Sequence, residues 1–215
     1  MIKYSFPLIA NALAWWINNL SDRFFIIMFI GKDVNGIYSI AYKIPVILST
    51  VQGIFYNAWS ISAIKEFDKD DADGFIGKVY DSYSAVSVFV AVIILILNKP
   101  ISGFLYAKDF YEAYRYDPLL IYGTVFNWLA LVIGCLFTAV KNSYEVSKTT
   151  IIGAVVNTAL NIILIPQYGA YGAAVATAIG YFAIWLIRTI RLKRIINISV
   201  CLGDKLLFML YWEYK

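Results

Sequence analysis

Asn11, Asn18 and Asp22 follow one another at steps of seven and four residues, so on a helix they share one face, with Arg23 at its edge one turn beyond Asn19. The stretch that carries them, Pro7 to Gly31, is otherwise apolar and long enough to cross a bilayer. A charge turned toward lipid is expensive, so this face is expected to look onto other helices or a water-filled cavity. The chemistry it offers is anion recognition, because the planar guanidinium of Arg23 suits phosphate oxygens. Lys43, Thr50 and Asn57 repeat every seven residues and give the next crossing its own polar stripe, with a second cation. Two such stripes agree with a shared cavity bounded by Asn18, Asp22, Arg23, Lys43 and Asn57; the Trp59 ring could stack on a ligand ring there or anchor at the interface, and Lys43 could instead snorkel to the headgroups. A structural alternative stands beside this one. Neighbours on a helix point about 100° apart, so Asp22 and Arg23 could pair with different helices and lock them together. An acid at that depth could also take up a coupling proton.

The elements that must position these residues are set by composition. The chain has 215 residues, 61% hydrophobic and 15% charged, with a mean hydropathy of +0.70. Soluble domains are about a quarter charged, so this is an integral membrane protein. There is no His, and the two cysteines are Cys135 in an apolar run and Cys201 near the tail. A His-based zinc or general-base site is thereby excluded, as is a disulfide framework, and neither cofactor nor enzyme activity is expected. The net charge of +4 calls for no nucleic-acid partner. The opening residues end in a signal-like Ala12-Leu13-Ala14, but Pro7 and the apolar continuation at Trp15 make them part of the first crossing.

The expected fold is all-α, a polytopic membrane bundle of about six transmembrane helices at 4–30, 37–64, 75–98, 118–140, 149–165 and 170–187. The turn formers of Gly31 to Gly36 reverse the chain after the first crossing, and Pro45 is expected to kink the second. Residues 65–74 form a charged linker, and 99–117 a polar connector whose many aromatics suit the headgroup zone. Thr149 to Ile187 is uncharged for 39 residues. One helix that long would reach roughly 58 Å, about twice the hydrocarbon thickness, so it must fold back at Pro166-Gln167-Tyr168-Gly169. Gly172, Ala176 and Gly180, four residues apart, allow close backbone packing. Asn157, Asn161 and Asn127 are expected to be interhelical hydrogen-bond formers. Residues 195–215 are a cytoplasmic tail or the truncated start of a further helix. Lysines and arginines are in excess on the side that bears both ends, the Arg188–Arg194 cluster among them, which places both ends in the cytoplasm.

The run from Asn157 through Asn161 to Ile165-Pro166-Gln167-Tyr168-Gly169 and Gly172-Ala173-Ala174 resembles a signature of polysaccharide and O-antigen flippases. These form the Wzx-like branch of the multidrug/oligosaccharidyl-lipid/polysaccharide (MOP) exporter superfamily. Ser21-Asp22-Arg23, the glycine turn, and Gly36-Ile37-Tyr38-Ser39 through Lys43-Ile44 are similar to the seventh and eighth helices of the same family. The resemblance implies one lobe, the C-terminal one, of a two-lobe exporter around a central cavity. It implies flipping of undecaprenyl-diphosphate-linked oligosaccharide across the cell inner membrane, with membrane lipids, a separate N-terminal lobe or a polysaccharide polymerase complex as partners. The alternatives are a multidrug or metabolite exporter of the superfamily, a non-transporting subunit, and a membrane glycosyl- or acyltransferase.

Overall fold

The computed structural model describes residues 2–65 and 74–192, and among these it forms eight α-helices and one 3₁₀ helix. They are α1 (Ile2–Phe29), α2 (Lys32–Ala41), α3 (Lys43–Lys65), α4 (Phe75–Ile96), α5 (Asn98–Leu105), the 3₁₀ helix Lys108–Arg115, α6 (Asp117–Ala139), α7 (Ser143–Tyr168) and α8 (Ala170–Leu192). The linker at 66–73 and the tail read at 195–215 lie outside the described residues.

Five segments are long and apolar enough to cross a membrane: Lys32–Ala63, Phe75–Ile96, Asp117–Ala139, Ser143–Tyr168 and Ala170–Leu192. The sixth expected crossing is α1. At 28 residues it reaches about 42 Å, and its asparagines, Asp22 and Arg23 lower its apolarity. The centre of the lobe is the pair α6 and α8. α7 packs along α8, α1 along α7, and α3 along α6, while α4 touches α3 and α6. α1 and α3 therefore stand on opposite flanks of the core, bridged by α2.

The expected polar stripe on α1 is real. Ala14, Asn18, Ser21, Asp22 and Ile26 are buried, and Leu13, Trp16, Ile17, Leu20 and Phe24 are exposed. That alternation at three- and four-residue steps is what an amphipathic crossing requires.

One expectation needs correction and two are extended. The helix after the first turn begins at Lys32, not after a loop ending at Gly36, because Gly31 alone reverses the chain with a φ of +136°. The second crossing is also interrupted at Tyr42. Pro45 has no N–H, so the carbonyl of Ala41 loses its helical partner at that point. Finally, the 99–117 connector is folded, as α5 and the 3₁₀ helix. Asp117 fixes it from below, fully buried, accepting from Tyr106 Oη at 2.9 Å and Ser102 Oγ at 3.1 Å. Burial and the neighbouring carboxylate push the Tyr106 phenol well above its ordinary range, so it stays a donor. Asn98 completes the anchor by donating to the Tyr114 carbonyl at 2.9 Å.

The reversal expected at 166–169 narrows to Gly169, whose φ of +63° is left-handed. Beyond it, α7 and α8 cross closely through glycines. A Cβ on Gly153 would overlap Ile184, and one on Gly180 would lie 2.9 Å from the Asn157 Cβ. Gly180→Ala is accordingly expected to destabilise the bundle by about 1–2 kcal/mol, read as a lower unfolding midpoint in detergent. An unchanged midpoint would show that the two helices have slack at this crossing.

Candidate functional site

Asp22 lies at the centre of a buried polar knot that ties four helices. Its Oδ1 accepts from Asn161 Nδ2 at 2.7 Å and from Asn157 Nδ2 at 3.3 Å, both on α7. Its Oδ2 accepts from Tyr38 Oη at 3.0 Å and Tyr42 Oη at 3.2 Å, from α2 and its C-terminal cap, and from Thr177 Oγ1 on α8. Ser21 joins by donating to Asn157 Oδ1 at 2.7 Å. Asp22, Asn161 and Thr177 each lie seven residues from the turn-side end of their helix, so all three sit about 10 Å below the same surface. In a medium that offers no water, these groups bond to one another, and the Asn161 Oδ1 atom is the knot member left without a partner among the described residues.

Asp22 is 1% exposed, so it faces the knot rather than an open cavity. The lock alternative describes it in this structure, and Asn157 and Asn161 are the interhelical hydrogen-bond formers they were expected to be. The groups turned toward it are hydroxyl and amide donors, and both carboxylate oxygens are committed to them. Sequence reasoning missed Tyr38, Tyr42 and Thr177. Tyr38 and Tyr42 stand at i and i+4, a spacing that signals a shared face.

Arg23 points elsewhere. Its guanidinium stacks over the Tyr42 ring, 5.5 Å from the centroid, and its Nε is buried without a hydrogen-bond partner. It borders a groove of about 500 Å³, lined also by Trp16, Leu20, Phe24 and Thr158 and apolar almost throughout. Lys43 directly follows Tyr42 and is exposed. Arg23 thus lies over the tyrosine at the break between α2 and α3, and Lys43 is the next residue along the chain. Among the described residues neither forms a salt bridge, and the acid next to Arg23 is consumed by the knot.

The remaining expected site residues divide. Thr50 and Asn57 are exposed with Lys43, so the stripe on α3 faces outward from the lobe. Because α3 lies against α6 while α1 lies against α7, the two stripes do not meet face to face within this chain. Asn18 is buried, 2% exposed, on the Asp22 side of α1. Trp59 is 3% exposed and donates its indole N–H to the Val132 carbonyl at 3.2 Å, so its ring packs on α6 instead of facing a cavity.

Arg188 departs from the sequence reading altogether. It was grouped with the cytoplasmic cations, yet it is fully buried in α8. Nε donates to Thr149 Oγ1 at 3.0 Å and Nη1 to the Ala130 carbonyl at 2.7 Å. Nη2 donates to Thr150 Oγ1 at 2.9 Å and to the Val146 carbonyl at 3.2 Å. The guanidinium is a strut joining α6, α7 and α8. A signal was present, since Ala173, Thr177, Gly180, Ile184 and Arg188 recur at three- and four-residue steps on the buried face of α8.

With this geometry in hand, known proteins can be compared. No family model matches the chain. It is 26% identical over 173 residues to an uncharacterised membrane protein of Methanocaldococcus jannaschii, covering 75% of this chain and 34% of that one. It is 31% identical over 88 residues to a probable low-salt glycan biosynthesis flippase of Haloferax volcanii, covering 41% of this chain and 19% of the relative. Its backbone superposes on the lipid II flippase MurJ in an inward closed conformation with a TM-score of 0.73 at 20% identity, over 99% of this chain and 47% of MurJ. A MOP superfamily transporter from Pyrococcus furiosus gives 0.69 at 19% identity, over 94% of this chain and 47% of that one. The chain has the fold of one lobe of a MOP-superfamily transporter. It spans about a third or less of the curated relatives it matches and just under half of the solved transporters. These structural neighbours are transporters and flippases, and the chain is a multi-pass membrane protein like them.

Proposed function

We propose that the chain is one lobe of a flippase that carries a lipid-linked oligosaccharide across a membrane. The finer reading is the Wzx-like one: undecaprenyl-diphosphate-linked sugar, O-antigen or another surface polysaccharide, the cell inner membrane, and both ends in the cytoplasm. The cavity would be completed by a second lobe, and a polysaccharide polymerase complex is a further candidate partner.

The observation that carries this reading is Arg23, stacked on Tyr42 beside an apolar groove, with the exposed Lys43 next along the chain; among the described residues neither forms a salt bridge. A diphosphate must pass a hydrocarbon layer while its lipid tail remains in that layer, which calls for positive charge beside an opening to lipid. Arg23 supplies the charge, and the apolar groove at its side is shaped for a hydrocarbon chain. Asp22, the acid a cationic drug would need, is already saturated, which favours anionic cargo over a multidrug role. The outward stripe of Lys43, Thr50 and Asn57 is the surface a second lobe would cover, closing the cavity between the two. Trp59 lies behind that stripe and contributes by holding α3 to α6, and Asn18 by flanking the knot.

The test places Arg23→Ala and Lys43→Ala together in the complete two-lobe transporter and measures surface glycan in cells. Export is expected to fall about tenfold or more at unchanged protein level, as loss of charge-assisted phosphate contacts requires. Normal export from the double variant would overturn the cationic pathway.

A further inference from the structure

The folded connector builds a second cationic site, separate from Arg23 and Lys43, at the edge of the membrane. A groove of about 600 Å³ lies where α4 ends and where α6 and α8 begin. Lys99 and Arg115 stand on it, both exposed, with Tyr114 and Tyr171 as aromatic walls and Leu95 and Ile96 as an apolar floor. Every one of these residues is within three positions of a helix end, so the groove opens at the depth where hydrocarbon gives way to headgroups.

The neighbouring α5 supports that depth independently. It buries Asn98 and Ser102 toward Asp117 and leaves Phe104 90% exposed, the pattern of a short helix lying along a lipid surface. Beside the cations, among the described residues, Glu112 lies 3.9 Å from Arg115 in an exposed i,i+3 pair that counts for little in water. Asp117 beneath the groove is occupied by Ser102 and Tyr106. On the exposed rim Lys99 and Arg115 stand against Glu112, two cations to one acid.

We propose that this groove binds an anionic phospholipid, its phosphate held between Lys99 and Arg115 and its acyl chain laid over Leu95 and Ile96. Tyrosine hydroxyls at headgroup level complete the hydrogen bonding to the phosphodiester. The chemistry selects for negative headgroup charge. A zwitterionic lipid offers the same phosphate but brings its own ammonium against the two cations.

The full chain is reconstituted in nanodiscs containing phosphatidylglycerol or only phosphatidylcholine, and co-purifying lipid is counted by native mass spectrometry. The wild type is expected to retain phosphatidylglycerol over phosphatidylcholine. Lys99→Ala/Arg115→Ala is expected to lose at least fivefold of that retention at an unchanged unfolding temperature. A charge-matched control, Lys32→Ala/Lys108→Ala, removes two cations away from the groove and is expected to leave retention within twofold. Equal losses in the two double variants would overturn the site in favour of a diffuse surface charge. Displacement of the lipid by millimolar inorganic phosphate would also overturn it, because the groove would then hold free phosphate without using its apolar floor.

Discussion

Asp22→Ala is expected to lower the stability of the bundle by about 3 kcal/mol, read as unfolding in mixed micelles. Five donors from α2 and its cap, α7 and α8 converge on this carboxylate. Hydrogen bonds between membrane helices average about 0.6 kcal/mol each, and five of them reach the stated size. The alanine variant also leaves amide and hydroxyl groups stranded about 10 Å below the surface, which adds desolvation to the loss. Asp22→Asn preserves shape but turns one acceptor into a donor that faces other donors, so it is expected to fall between wild type and alanine. A loss below 1 kcal/mol for the alanine variant would mean that the knot is dispensable and that α1 is held by its apolar contacts with α7 alone.

Arg188→Ala is the second large effect, at about 3–4 kcal/mol by the same measurement. The side chain is fully buried, so its removal leaves a cavity and takes away four hydrogen bonds between helices, although the Thr149 and Thr150 hydroxyls keep their bonds to backbone carbonyls of α7. Arg188→Lys keeps the charge but not the fork that reaches α6 and α7 at once, and about half the loss is expected. The decisive comparison is Arg191→Ala. That arginine pairs with Glu145 nearer the surface, about a quarter exposed, and its loss is expected to stay within 1 kcal/mol. Equal effects at 188 and 191 would return Arg188 to the surface cluster in which the sequence alone places it.

That contrast shows what the sequence conveys and what it withholds. The helices are legible because hydrophobic runs of bilayer length leave few other solutions, and the polar face of α1 is legible because its period is helical. Whether a polar face looks onto water or onto another helix depends on which helix lies opposite, a fact encoded a hundred residues away. Asp22 was correctly marked as exceptional, but its partners on α7 and α8 decide that it is a lock. Arg188 was hidden for the reverse reason, since the arginines and lysines that follow it make it look like one of a charged run. The folded connector was obscured by its own polarity. Ser102 and Tyr106 are turned inward onto Asp117 while its charged side chains stay exposed, an arrangement that composition does not reveal.

The interruption at Tyr42 has a mechanical consequence. α2 is moored to Asp22 through two phenols, whereas α3 is laid along α6 on the far flank. Between them the Ala41 carbonyl has no helical donor to lose, and the rung across the joint is the Val46 N–H to the Tyr42 carbonyl at 3.0 Å. The crossing is therefore jointed, with α3 held on α6 through Trp59 and Trp128 and the moored part held on α1. Arg23 and Lys43 stand on either side of the pivot, and any swing of α3 changes the span between the two positive charges.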